Sequence, residues 1–173
     1  MGVVDMKTRE RSIILGVTAL LAAVAVILLT QDAPPDEVRP DQDGVLVLTM
    51  QDYRFDTSEF VLLAGEPMTL RFVNRDEVSH HISFGRGIVE ENQRAVGFEE
   101  DLLAGLDLRV DPPGAHVKLS PPYRGTTVLA RGGETVTIEV VVPEDRRGIW
   151  EMGCFTGQGC HYRAGLAAEV TVQ

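Results

Sequence analysis

The chain has 173 residues, 44% of them hydrophobic, and a formal net charge of −10. This length accommodates one domain of ordinary size with a real hydrophobic core, plus an appendage. The acidic balance argues against a nucleic-acid-binding function, because phosphates attract lysine and arginine, and it gives no sign of a basic face for membrane binding.

The N-terminal segment is predicted to be a membrane anchor. Residues 12–30 carry no charge over nineteen positions. As a helix they would be about 28 Å long, close to the roughly 30 Å hydrocarbon core of a bilayer. Lys7, Arg9 and Arg11 precede the segment, so the positive-inside bias places residues 1–11 in the cytoplasm. A cleaved secretory signal is the alternative, although no small-x-small cleavage pattern follows. Either way, the rest of the chain is expected to be extracytoplasmic, at the cell membrane.

Residues 31–43 are predicted to be an extended, solvated linker. They contain three prolines, five acidic residues and one arginine, with Val38 as their one large apolar residue. This composition cannot bury enough apolar surface to fold. The folded domain is therefore expected to cover residues 44–173.

Seven short β-strands are predicted within that domain. They are rich in β-branched residues, mostly alternate apolar with polar positions, and are separated by turn signals. They cover residues 45–50, 59–63, 68–73, 80–84, 134–142, 149–152 and 166–172. Short strands separated by such turn signals predict an all-β sandwich with Greek-key connections.

Residues 85–127 interrupt the strand pattern and are predicted to be an insertion that wraps the sandwich. Residues 98–105 are compatible with a turn or two of helix. The proline pairs at 112–113 and 121–122 exclude regular structure over much of the remainder. A lid, a partner surface and a plain structural flap all remain open for such a segment.

The residues with the most distinctive chemistry lie between positions 148 and 166. Both cysteines, Cys154 and Cys160, are found there beside His161, one of four histidines. Thiolate and imidazole favour copper or zinc over magnesium or calcium, because these metals accept soft sulfur and borderline nitrogen donors. The sequence therefore predicts a metal-binding loop that needs a second histidine from elsewhere in the chain.

Two parts of the sequence resemble the cupredoxins, the blue-copper family. One is the apolar strand that ends at Asn74 and is followed six residues later by His80. The other is the strand leading into Cys154, with the His-Tyr-x-Ala-Gly pattern that starts at His161. The resemblance implies a cupredoxin-like sandwich with copper at one end, held by His80, Cys154 and His161 as equatorial ligands.

The resemblance also implies an axial methionine, but this chain has Leu166 at that position. Leucine has no donor atom. The site is then trigonal, or it takes a donor from Gln158, Met152 or a backbone carbonyl. Loss of a thioether donor should favour Cu(I) and raise the reduction potential.

The role of Cys160 is left open by the sequence. Cys154 can be the ligand with Cys160 as a free neighbouring thiol, and the strand leading into Cys154 favours this. The two cysteines can instead form a disulfide, which an oxidising exported compartment encourages. In a third alternative both bind metal, in a binuclear copper centre like that of cytochrome oxidase subunit II, or in a zinc site.

The resemblance implies an electron carrier, and the predicted anchor makes it membrane-tethered. The sequence suggests no substrate pocket and no acid–base pair, so an enzyme is not expected. The carrier's partners would be redox proteins in or at the membrane, and electrons would leave through a hydrophobic rim of Phe155, Tyr162 and Leu166. The alternatives are a copper storage or delivery module, a metal-free structural sandwich with a Cys154–Cys160 disulfide, and an accessory subunit of an oxidase complex. Of the other residues, His81 is expected at the surface and Trp150 in the core.

Overall fold

The computed structural model describes residues 38–119 and 121–173, which form twelve β-strands, one short α-helix and two 3-10 turns. The strands are β1 (Val45–Gln51), β2 (Arg54–Phe55), β3 (Glu59–Leu62), β4 (Pro67–Asn74), β5 (His80–Glu91), β6 (Arg94–Asp101), β7 (Arg109–Asp111), β8 (His116–Val117), β9 (Thr127–Ala130), β10 (Thr135–Val141), β11 (Gly148–Cys154) and β12 (Ala167–Val172). Helix α1 is Cys160–Ala164, and the 3-10 turns are Pro113–Ala115 and Glu144–Arg146.

The strands form two sheets. One has five strands in the order β2-β1-β4-β10-β7, and the other has seven, in the order β3-β12-β11-β5-β9-β8 with β6 paired to β5. Most neighbours are antiparallel, but β1 pairs with β4, and β3 with β12, in parallel. The predicted all-β sandwich is confirmed.

The core lies between the sheets because the strands alternate as the sequence pattern predicts. In β1 every second residue is buried, and β4 and β10 repeat the pattern. Phe72 of the five-stranded sheet meets Phe84 of the seven-stranded sheet edge to face, with ring centroids 6.1 Å apart. Trp150 is buried, as predicted.

Residues 85–127 do not simply wrap the sandwich, because they contribute strands to both sheets. β5 continues to Glu91 and returns as β6, while β7 joins the five-stranded sheet and β8 the seven-stranded one. The helix considered for residues 98–105 is wrong: Phe98 lies in β6, and the chain then turns to bury Leu102 and Leu103 in the core. Pairing with β5 outweighs the local helix preference there.

The last residues of the predicted linker already contact the sandwich. The carbonyl of Val38 accepts the backbone N–H of Val61 at 2.8 Å, and the Val38 side chain packs against the core. Contacts with the sandwich therefore begin within the segment predicted to be a linker. The predicted anchor at residues 12–30 lies outside the described residues, and within the described part no helix is long and apolar enough to cross a bilayer.

Candidate metal centre

Two neighbouring strands bring two of the predicted donors together. β5 begins at His80 and β11 ends at Cys154, and these strands pair antiparallel with Cys154 opposite Ile82. The start of one antiparallel strand lies beside the end of its neighbour, so the two side chains share one end of the sandwich. Both residues are fully buried.

His161, in helix α1, completes the group. Its Nδ1 lies 3.2 Å from Nδ1 of His80 and 3.6 Å from Sγ of Cys154, and that Sγ lies 3.8 Å from Nδ1 of His80. A point in the plane of the three atoms is about 2 Å from each of them. This is close to metal bond lengths of roughly 2.0 Å to nitrogen and slightly shorter than roughly 2.3 Å to sulfur. Among the described residues, these three are the one group of histidine, cysteine and acidic side chains that could hold a metal ion.

The thiol of Cys154 is placed to become a thiolate when a metal arrives. Burial raises its pKa, although hydrogen bonds with Thr156 and the backbone N–H of His81 act in the opposite direction. The Sγ atom lies 3.3 Å from Thr156 Oγ1 and accepts the His81 N–H at 3.3 Å. The thiol is therefore protonated near neutral pH without a metal, and metal binding would release that proton.

The ring of His80 is oriented by Asp76. Its Nε2 lies 2.7 Å from Oδ2 of Asp76, which leaves Nδ1 directed at the other two donors. Burial would raise the pKa of Asp76, but the hydrogen bonds from His80 and from the backbone N–H groups of Asp52 and Tyr53 outweigh it, so the pKa lies below its usual value. Asp76 is therefore a carboxylate at neutral pH, and it can accept a hydrogen bond from the protonated Nε2 of His80.

Asn74 holds the turn that carries Asp76. This asparagine is buried, and its amide donates to the carbonyls of Val78, Ala130 and Arg131 at 2.8 to 3.0 Å. Its Oδ1 accepts the backbone N–H of Asp76 at 3.0 Å. One buried side chain thus ties the segment before His80 to the end of β9.

The loop that carries His161 is shaped by left-handed backbone. Gly157, Gln158 and Gly159 have φ values of 64°, 62° and 80°, and Gly165 ends helix α1 at φ 108°. Glycine adopts this region without steric cost, which explains three of the four positions. His161 is half-buried, and burial followed by the charge of His80 lowers its pKa, so its imidazole is neutral and available to a metal near pH 7.

The β5–β6 hairpin braces this loop. A Cβ atom at Gly159 would lie 2.6 Å from the carbonyl oxygen of Ala95 in β6, so the loop backbone rests directly on the hairpin. Phe155 packs edge to face on Phe98 of β6 at 5.0 Å and stacks on Tyr162 at 5.3 Å. The residues predicted to form an insertion therefore support the ligand loop.

Tyr53 covers the outer side of the histidines. Its ring makes edge contacts with His161 at 4.8 Å and with His80 at 5.9 Å between centroids, and it is 39% exposed. Neither Tyr53 nor Asp76 was assigned a role from the sequence. An acidic residue four positions before a ligand histidine was the available signal for Asp76, whereas Tyr53 had none.

Four further predicted site residues lie outside the donor group. Leu166 is fully buried and its carbonyl accepts the Cys154 N–H, while Met152 is buried in the core. Gln158 is exposed in the loop. Cys160 is also exposed, and both cysteines are free, so the Cys154–Cys160 disulfide is not formed in the structure.

The expectation of an exposed hydrophobic rim is wrong. Phe155 and Leu166 are buried, and Tyr162 is half-buried and donates its hydroxyl to Glu151. His81 lies outside the donor group, as expected, and is half-buried, with its Nδ1 3.1 Å from Thr156 Oγ1. The exposed side of the centre consists of His161 and Tyr53 instead.

No family model and no curated protein matches this chain. Similar solved structures include a reduced auracyanin from Roseiflexus castenholzii, with 19% identity and a TM-score of 0.49 over 75% of this chain and 97% of that one. Auracyanin A from Chloroflexus aurantiacus, described as a "blue" copper protein, has 21% identity and a TM-score of 0.48 over 75% and 98%.

A multicopper oxidase from Aquifex aeolicus is also similar, with 15% identity and a TM-score of 0.47 over 82% of this chain and 32% of the oxidase. Likeness of this degree carries no argument about function. The case for a metal therefore rests on the converging donors of His80, Cys154 and His161, which come from the parts of the sequence that resemble the cupredoxins.

Proposed function

We propose that this chain is a copper-binding cupredoxin that passes single electrons outside the cytoplasm. The observation that supports it is the triangle of His80 Nδ1, Cys154 Sγ and His161 Nδ1, whose sides measure 3.2, 3.6 and 3.8 Å. Two imidazoles and one thiolate in a plane are the donor set of blue-copper electron-transfer sites. Copper held by such a set changes between Cu(I) and Cu(II) with little rearrangement.

The donor set favours copper over structural zinc. Structural zinc sites are almost always four-coordinate and tetrahedral, whereas three donors converge here. Leu166, at the position that the resemblance makes axial, has no donor atom and is buried. A centre with three strong donors and no thioether favours Cu(I), which predicts a high reduction potential.

The protein's own contribution is to hold the donors before the metal arrives. His80 is oriented by Asp76, and Cys154 by the His81 N–H and Thr156. Donors that are already in place need not rearrange during electron transfer. Electrons would pass through the half-buried edge of His161, beside Tyr53, because that edge reaches the surface.

The partners would be redox proteins in or at the membrane. The uncharged segment at residues 12–30, preceded by basic residues, supports a single-pass anchor with the sandwich on the extracytoplasmic side. The net charge of −10 supports docking to a basic partner surface.

The test is the visible and paramagnetic-resonance spectrum of the Cu(II)-loaded protein, with Cys154→Ser and Cys160→Ser as a matched pair. We expect an intense thiolate-to-copper band in the wild type and in Cys160→Ser, and no such band in Cys154→Ser. Cys160 is exposed and outside the donor group, so its removal controls for the loss of a thiol. A colourless protein that binds Cu(I) would instead indicate storage or delivery, and a protein that binds no copper would refute the proposal.

A further inference from the structure

The carboxylate of Asp76 receives hydrogen bonds from two different parts of the molecule. Oδ2 lies 2.7 Å from Nε2 of the buried His80 and accepts the backbone N–H of Tyr53 at 3.3 Å. Oδ1 accepts the backbone N–H of Asp52 at 2.7 Å. The Asp76 side chain is itself only 11% exposed, so water competes little for these bonds.

The residues that donate from the other side form an unusual turn. Asp52 and Tyr53 connect β1 to β2, whose last pair is Gln51 and Arg54, and both have left-handed backbone, with φ values of 53° and 59°. Left-handed backbone is unfavourable for a tyrosine, since it crowds Cβ against the backbone. Hydrogen bonds from both N–H groups to one carboxylate hold the turn in this conformation.

The turn determines where the Tyr53 ring lies. From this backbone the ring reaches His161 at 4.8 Å and His80 at 5.9 Å, edge to face in both cases. The acid that orients one imidazole therefore also fixes the backbone of the residue that covers both imidazoles.

We propose that Asp76 is a positioning residue with two tasks: it fixes the tautomer and orientation of the His80 imidazole, and it holds Tyr53 over the paired imidazoles as a cover. The proposal rests on the proposed function only in treating His80 and His161 as copper ligands. Asp76 lies outside the group of His80, Cys154 and His161, so it acts through His80 and Tyr53.

The chemistry requires a carboxylate rather than an amide. Three donors face Asp76, and both of its oxygens accept. In Asp76→Asn the amide group must face at least one of those donors, whichever way it is turned. One of the two tasks is therefore lost by a substitution that removes no volume.

The hydrogen bonds are tested on the metal-free protein by NMR. In the wild type we expect the His80 ring proton on Nε2 and slow hydrogen exchange at the Tyr53 and Asp52 amides. Asp76→Asn should lose the slow exchange, the Nε2 tautomer, or both. Asp56→Asn is the matched control, because Asp56 also accepts a backbone N–H, from Thr49, and within the described part of the chain no hydrogen bond or ion pair joins it to a histidine. A wild-type His80 with its proton on Nδ1 would overturn the proposal without any variant.

The consequence for the centre is tested by Cu(II) affinity. Outer partners of ligand histidines are typically worth 10–100-fold in metal affinity, so Asp76→Ala, which removes both acceptor oxygens, should bind Cu(II) about 10–100-fold more weakly than the wild type, and Asp56→Ala should bind like the wild type. Equal affinities for Asp76→Ala and Asp56→Ala would overturn the first task.

The cover is tested by the rate of reduction of the Cu(II) protein by ascorbate. Tyr53→Ala should be reduced faster than the wild type and Tyr53→Phe at the wild-type rate, because the contacts come from the ring. Equal rates for Tyr53→Ala and Tyr53→Phe would overturn the second task. A wild-type protein that binds no copper would refute the proposed function instead, and the metal-free NMR comparison would still decide what Asp76 holds.

Discussion

Different kinds of interaction hold the two histidines of the centre: hydrogen bonds hold His80, and close packing holds His161. His80 lies at the start of a central strand, where Asp76 accepts a hydrogen bond from its ring and Asn74 bonds to defined backbone groups. His161 lies in a glycine-rich loop that is held mainly by close packing against the β5–β6 hairpin. The first region therefore depends on the identity of polar groups, and the second on shape.

The largest loss of stability is expected from a substitution in the polar region around His80. In Asn74→Ala, the carbonyls of Val78 and Ala130 lose the amide donor and the Asp76 N–H loses its acceptor, whereas the Arg131 carbonyl keeps the N–H of Glu134. Each unsatisfied group costs roughly 1–3 kcal/mol, so the metal-free protein should lose about 4 kcal/mol of unfolding free energy. Urea denaturation measures this. Asn74→Asp, which keeps the acceptor for the Asp76 N–H but not the donors, should be similarly destabilised. A loss below about 1 kcal/mol in Asn74→Ala would show that the polar frame is dispensable.

The next largest loss of stability is expected from a substitution in the packed loop that carries His161. Gly159→Ala and Gly133→Ala both place alanine in left-handed backbone, at φ 80° and 75°, which costs about 1–2 kcal/mol. Only Gly159 also brings Cβ onto β6, since nothing lies within 4 Å at Gly133. Overpacking of this kind adds roughly 1–3 kcal/mol, so Gly159→Ala should be the less stable variant and should alter the copper spectrum. Equal urea midpoints and an unchanged spectrum would argue that the loop does not depend on the hairpin.

A smaller effect on stability, but a clear one on redox chemistry, is expected for Leu166→Met. Leucine and methionine have similar volumes, so the cost should stay below about 1.5 kcal/mol. If residue 166 is axial, the added thioether should lower the reduction potential, which voltammetry measures. Leu46→Met, near the start of β1 in the same core, is the control and should leave the potential unchanged. Equal potentials for the two variants would mean that residue 166 does not face the copper.

The smallest loss of stability is expected at Arg163, where a substitution tests whether packing or a polar contact holds the loop. Arg163 donates to the carbonyl of Gln93 and lies 3.7 Å from Glu90, and its side chain is half exposed. Exposed ion pairs contribute roughly 0–1 kcal/mol, so Arg163→Ala should cost less than about 1 kcal/mol and leave the copper spectrum unchanged. A spectrum that changes as much as in Gly159→Ala would show that the polar bond, and not the packing, holds the loop.

Strands with alternating burial were predictable from the sequence, and hairpins without glycine turns were not. β1, β4 and β10 follow the period of two closely, because one face of each meets the core. β6 was missed because the turn before it uses Asn92 and Gln93, both left-handed, without a glycine. The acidic run after Phe98 then indicated a helix, and only pairing with β5 overrides that preference.

In the candidate site, the convergence of His80, Cys154 and His161 was expected from the resemblance, whereas their supports were not. Asp76 stands between the predicted strands at residues 68–73 and 80–84, where an aspartate has a local explanation as a turn residue. Tyr53 takes a left-handed conformation that tyrosine rarely adopts, so its position over the histidines depends on a contact with Asp76 across 23 residues. Such long-range contacts leave no periodic pattern in a sequence.

The parallel pairing of β12 with β3 bears on the order in which folding and metal loading take place. Glu169 lies opposite Glu59 in this pair, and His161 lies just before β12, so the ligand loop is placed by strands far apart in the chain. Contacts of large sequence separation form slowly, since loop closure must come before them. We therefore expect the three donors to converge late in folding, so that a metal ion enters a chain that has already folded rather than nucleating its folding.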